Sequence, residues 1–193
     1  ERGTLLLLLS YPIARWQVVV GKVLGQVAIL AVATVLGYGA AGVALWLKGG
    51  VGAEAWLAYG AMVATSVMLG ASFVAIGCLA STLVRERATA AGLAVGVWLL
   101  FVLLFDTALL GVLVADQGRI VGKTALDALL LLNPADVYRL FNMTASRSVS
   151  VYSGMAGPGD PQAVAPWIYI AVLAAWIAVP LAAAVGVFRR RAL

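Results

Sequence analysis

Asp116, Asp127 and Asp136 are carboxylates from which a facing pair could be drawn, and such a pair is the minimum set for general acid–base hydrolysis. On an exposed face such acids read as solvated surface instead. The chain has no histidine, which excludes Ser-His-Asp and Cys-His nucleophiles, and its one thiol, Cys78, leaves too few soft ligands for a conventional zinc or haem site. Gly118, Gly122, Lys123 and Thr124 resemble a phosphate-binding loop. Only three residues separate the glycines where nucleotide loops need four, and no strand precedes them. Met62, Met68 and Cys78 offer soft atoms for a copper relay, but methionine is also ordinary packing material between helices. Thr65, Ser66, Ser72, Ser81 and Thr82 lie in the same apolar run and are expected to bond back to their own helix carbonyls. Asn142-Met143-Thr144 fits a glycosylation acceptor, a pattern common by chance. The chain is therefore read as non-catalytic, with no metal site and no cofactor of its own.

The elements that hold these residues are membrane spans. Of the 193 residues, 64% are hydrophobic and 11% charged, with mean hydropathy +1.05, far from the quarter charged that is usual in soluble domains. In this setting the net charge of +5 argues for sidedness rather than for nucleic acid. Uncharged runs long enough to cross a bilayer predict spans over about 18–47, 56–84, 88–106 and 167–188. Trp16 and Trp46 fit interfacial positions, Gly21 and Gly25 form a small-xxx-small pair for close helix approach, and Pro180 is expected to kink the last span.

Asp106 ends the third run. An ionisable group at that depth is by default a functional residue, and a carboxylate reaching water at the far interface fits the same position. Thr107–Ala115 is too short to cross again and, with Thr124–Leu132, reads as a re-entrant hairpin. Asn133-Pro134-Ala135-Asp136 supplies a cap, a first-position proline and a first-turn acid, which predicts a short helix from about Pro134 to Met143. Ser146–Ala165, with Pro158, Pro161 and three glycines, reads as an exposed loop.

Glu1–Trp16 is the remaining segment. Its leucines, Leu5 to Leu9, advance about 100° per residue and so cover every face of a helix, which rules out one solvated side. The apolar stretch is too short for a span and suits a helix clamped between two surfaces. A signal-peptide core fits less well, because Arg15 stands where a small-residue cleavage site belongs. With a helix starting near Ser10, Arg15, Lys22 and Gln26 form a polar stripe on its first turns. Four spans put Arg2, Arg15, Lys22, Arg85, Arg87 and Arg189–Arg191 on one face, against Glu1 and Glu86 alone. The other face holds Lys48, Arg119, Lys123, Arg139 and Arg147 against six acids. The basic face is predicted to be cytoplasmic, with both the N-terminal segment and the C-terminus there and about 107–166 outside.

ERGTLLLLLSYPIARWQVVVGK, residues 1–22, resembles the cytoplasmic coupling segment of ABC-2 type transporter permeases, matching its acid, Gly-Thr, leucine cluster, proline, arginine and closing Gly-Lys at Glu1, Gly3, Thr4, Pro12, Arg15, Gly21 and Lys22. Leu129–Ala145 is similar to the extracytoplasmic segment of the subfamily that serves nitrous oxide reductase maturation. The resemblance implies an all-α polytopic membrane domain of the type V exporter kind, with residues 1–14 as coupling helix and 15–193 as transmembrane domain. It implies a second copy of the permease, a separate ATPase that binds ATP and magnesium, and a periplasmic partner, all at a bacterial inner membrane. Coupling to the ATPase falls on Glu1, Arg2, Thr4, Leu5, Leu7, Pro12 and Arg15, and contact with the periplasmic partner on Asn133, Asp136, Tyr138 and Arg139. Family permeases have six spans, so two further spans are expected ahead of Glu1. Relatives also carry an acid within the leucine cluster, and Leu5–Leu9 has none. Export of a drug or lipid, or service as a non-transporting platform for the outer partner, are the other functions this layout allows.

Overall fold

The computed structural model describes residues 15–49, 52–84, 86–116, 122–144 and 164–190. The coupling segment, with Glu1, Arg2, Thr4, Leu5, Leu7 and Pro12, lies outside the described residues, as do the side chain of Arg15, the glycine-lysine loop up to residue 121 and most of the Ser146–Ala165 loop. The described residues form helices and short connections only: α1 (Arg15–Lys48), α2 (Ala53–Leu83), α3 (Arg87–Asp116), α4 (Lys123–Leu131), α5 (Pro134–Thr144) and α6 (Pro166–Arg190). α1, α2, α3 and α6 are each long and apolar enough to cross a bilayer. Their large exposed side chains, among them Ile29, Leu36, Leu57, Leu104 and Val179, are what a helix surrounded by acyl chains presents.

α2 is the central helix. It packs most extensively on α6 and also lies against α1, α3 and α5. Four of its five buried residues are alanine or serine, Ala71, Ser72, Ala75 and Ala80. Small side chains let backbones approach where no hydrophobic effect drives helices together. The closest approach is at Gly70, where a Cβ would stand 2.7 Å from Leu30 Cδ2 on α1. Gly21 and Gly25, the small-xxx-small pair of α1, meet nothing within 4 Å in this chain. Near the other end of the α1–α2 contact, the Tyr59 hydroxyl donates to the Tyr38 carbonyl while the two rings meet edge to face at 6.3 Å. α6 runs unbroken through the buried Pro180.

The third span differs from the expectation. Thr107–Ala115 is not one arm of a hairpin but the continuation of α3, which extends to Asp116 and is about 45 Å long at 1.5 Å per residue. Asp106 does not stop the helix because Arg139 pairs with its charge, and Thr107 Oγ1 satisfies itself on the Leu103 carbonyl at 2.9 Å. A π turn at Leu100–Leu104 interrupts α3 just before Asp106. α4 remains a short helix of nine residues, tied to α6 by the Trp176 indole N–H, which donates to the Leu131 carbonyl at 3.4 Å.

Gly70→Leu should overpack the α1–α2 contact and cost about 1–3 kcal/mol. Leu30→Ala in the same chain should return most of that loss, as read by denaturant unfolding in bicelles. Equal stability of Gly70→Leu and the parent would show that the two helices are not held together there.

Candidate functional site

Asn133 begins the site. It caps α5: its Oδ1 accepts from the Ala135 N–H at 3.0 Å and its carbonyl accepts from the Val137 N–H at 3.0 Å, while Pro134 has no N–H to leave unpaired. The same side chain donates through Nδ2 to Asp136 Oδ2 and to the Phe101 carbonyl, each at 2.8 Å. Phe101 belongs to the π turn, where the regular hydrogen-bond ladder is displaced. A fully buried asparagine thus joins the start of one helix to the irregular turn of another.

Arg139 lies one turn further along α5. Its Nη1 donates to Asp106 on α3 and, at 3.0 Å, to Asp136 on its own helix. Asp136 has a side chain 7% exposed, against 32% for Asp106 and 42% for Arg139, so the acid shielded from water is the one with two protein donors. Burial, then the nearby Asp106 charge, push the Asp136 carboxyl up to about 6 against the pull of Asn133 and Arg139. The hydrogen bond that Arg139 donates to Asp106 raises the Arg139 pKa further, so this cation stays charged.

The other face of α5 is held by α2 and α6. The Ser66 hydroxyl is committed to the Met62 carbonyl at 2.8 Å, so Tyr138 donates across to Ser66 Oγ at 3.0 Å. Burial raises the Tyr138 pKa, which keeps this phenol a donor. By the same reasoning Asn142 Nδ2 donates to Thr65 Oγ1 at 3.2 Å, because Thr65 spends its proton on the Ala61 carbonyl. Val137 and Phe141 bury against Tyr169 and Leu173 of α6, with Met68 of α2 packed beside them. The Phe101 and Trp176 rings meet edge to face at 5.2 Å and close the gap between α3 and α6.

The four expected contact residues are therefore gathered on one helix but are not equivalent. Asn133 and Asp136 turn inward and spend their polar atoms on the chain itself, whereas Arg139 is partly open to solvent. Leu132 and Met143 flank it as exposed apolar side chains. Sequence reasoning left Asp106 between a functional and an interfacial role and missed its partner, 33 residues away. The usable signal was that an ionisable group in an apolar run normally finds an opposite charge. Met62, Met68 and Cys78 are strung along about 24 Å of α2 rather than gathered at one point, and no group of three Cys, Asp or Glu side chains placed to hold a metal ion occurs among the described residues.

Residues 1–193 match the family described as ABC-2 family transporter protein. The chain is similar to a probable ABC transporter permease protein NosY of Stutzerimonas stutzeri, 41% identical over 193 residues, and to one of the same name from Pseudomonas aeruginosa, 44% identical. Each match covers 99% of this chain and 70% of the relative.

Folding lifts the Asp136 pKa from its ordinary 3.8 to about 6, so between those values the folded protein binds more protons than the unfolded one. Stability should fall as pH rises through that window and level off above it. Asp136→Asn should flatten this dependence in thermal unfolding measured from pH 4 to 7, the range that brackets the shift. Asn133→Ala should cost about 1–3 kcal/mol at pH 7, since it removes a cap, the side-chain donor to the Phe101 carbonyl and one of the two donors on Asp136.

Proposed function

As the chain belongs to the ABC-2 family of transporter proteins, we propose that it is the permease subunit through which a separate ATPase does the transport or conformational work needed to mature the copper–sulfur centre of nitrous oxide reductase. The observation that carries this reading is the likeness to permeases named NosY along 99% of the chain. In this reading ATP and magnesium bind to the ATPase, and this chain supplies only mechanics. Glu1, Arg2, Thr4, Leu5, Leu7, Pro12 and Arg15 receive the push on the cytoplasmic side of the inner membrane, and the C-terminus lies on that side too.

The packing supports a route for the motion. α1 starts at Arg15 and touches α2 at Gly70, α2 holds Tyr138 and Asn142 of α5 through Ser66 and Thr65, and α3 holds α5 through Asp106. A helix bound on both faces follows the spans when they move. Two permease copies would form the bistable unit, and ATP shifts it only by binding its two arrangements with different free energy. On the periplasmic side, Arg139 with Leu132 and Met143 offers the contact for the outer partner, while Asn133 and Asp136 position the helix that carries it and Tyr138 fixes its back.

Leu7→Asp or Arg15→Glu should leave the complex assembled but abolish stimulation of the ATPase and formation of the copper–sulfur centre, read by its absorption spectrum. Normal ATPase stimulation in an assembled variant would sink the coupling assignment. Centre formation that survives a catalytically dead ATPase would instead make the chain a platform, and centre formation that survives deletion of the gene would remove nitrous oxide reductase from the reading.

A further inference from the structure

Lys22 and Gln26 on α1 face Val74, Gly77, Cys78 and Ser81 on α2 across an open cavity of about 380 Å³. That is within the size range of small-molecule sites. Its polar groups are uncommitted. Thr65, Ser66, Ser72 and Thr82 on α2 each donate to a carbonyl of their own helix. Ser81 does not, and among the described residues neither it, Lys22 nor Gln26 has a side-chain hydrogen bond or ion pair. Three donors from two helices therefore converge on one space, with an apolar wall beside them at Val74 and Gly77.

The depth of the cavity indicates what fills it. The apolar stretch Trp16–Leu47 is about 48 Å long at 1.5 Å per residue, against a hydrocarbon core of about 30 Å, so a centred helix projects about 9 Å at each end. Lys22 is six residues, about 9 Å, from Trp16. On α2 the projection is about 8 Å, and Cys78 lies about 7.5 Å from Leu83. Both estimates put the cavity where lipid phosphates meet the acyl region, on the face shared with the start of α3 and the end of α6. A cation set between two spans at that level, with hydroxyl and amide donors around it and an apolar wall next to it, matches an anionic phosphodiester with a chain attached.

We propose that the cavity between α1 and α2 lined by Lys22, Gln26, Cys78 and Ser81 is a binding site for the headgroup of an anionic phospholipid. Lys22 pairs with the phosphate, Gln26 and Ser81 donate to its oxygens, and the first methylenes of the lipid lie on Val74 and Gly77. The proposal is independent of the cargo and of the coupling segment.

Cys78 is the chain's only cysteine and lines the cavity, so its modification reads occupancy. The intact protein is reconstituted in nanodiscs of phosphatidylcholine with and without phosphatidylglycerol, and the rate of Cys78 alkylation by a small neutral maleimide is followed by peptide mass. Phosphatidylglycerol should slow alkylation about fivefold, the weight of one cationic contact at a membrane surface. The slowing should vanish in Lys22→Gln, and in Ser81→Leu, which fills the cavity but keeps the charge. Slowing that persists in Lys22→Gln reflects surface charge alone and overturns the proposal. So does equal slowing by inorganic phosphate in phosphatidylcholine, which would make the site one for a free anion, and so does an unchanged rate in the parent.

Discussion

A carboxylate in an apolar helix must be neutralised, and the pairing of Asp106 with Arg139 is the contact on which the α3–α5 end of this structure depends. It lets α3 continue through a charge that would otherwise end it. It also fixes α5 against the bundle at the one point where the helix meets α3 through charge rather than through backbone. Asp136 shares the same guanidinium, so two acids compete for one cation, and burial raises the pKa of Asp136. The asparagine cap adds a neutral donor between them. Arg139 is common to both ion pairs and Asp136 to both donors, so a change at one member alters the balance at the others, and the cluster acts as a unit rather than as three contacts.

α2 is the complementary constraint on the other side. It brings alanine, serine and glycine to its contacts, and its hydroxyls satisfy themselves before offering an oxygen to α5. Close approach and acceptor geometry are therefore properties of one helix. The spans around it present large aliphatic side chains outward, as expected where lipid replaces water as the solvent.

The all-helical class, the four spans and the start of α5 were legible in the sequence, because run length and cap chemistry are local. Asn133-Pro134 with an acid two residues on fixes a helix start whatever surrounds it. The end of the third span was not legible, since whether Asp106 stops a helix depends on a cation in a different element. Gly21 and Gly25 meet nothing within 4 Å, whereas Gly70, which makes the close approach, stands four residues after Ser66 in a small-xxx-small pair of its own. Asn133 and Asp136 read as surface because capping residues usually are. Their burial follows from α5 lying across α3 and α6, which local sequence does not encode. The family resemblance rested on residues 1–22 and 129–145, and the likeness to permeases extends over 99% of the chain.

The π turn at Leu100–Leu104 can be understood as a change of rotational phase. One extra residue in a helical ladder turns everything beyond it by about 100° about the axis. Asp106 follows that turn directly, so the direction in which its carboxylate leaves α3 is set by the insertion, not by the residues that flank it. A ladder one residue shorter would keep α3 apolar and membrane-spanning while rotating the acid away from Arg139. The span would survive such a deletion, but its charge would be left facing the acyl chains, and α5 would lose its tether to it.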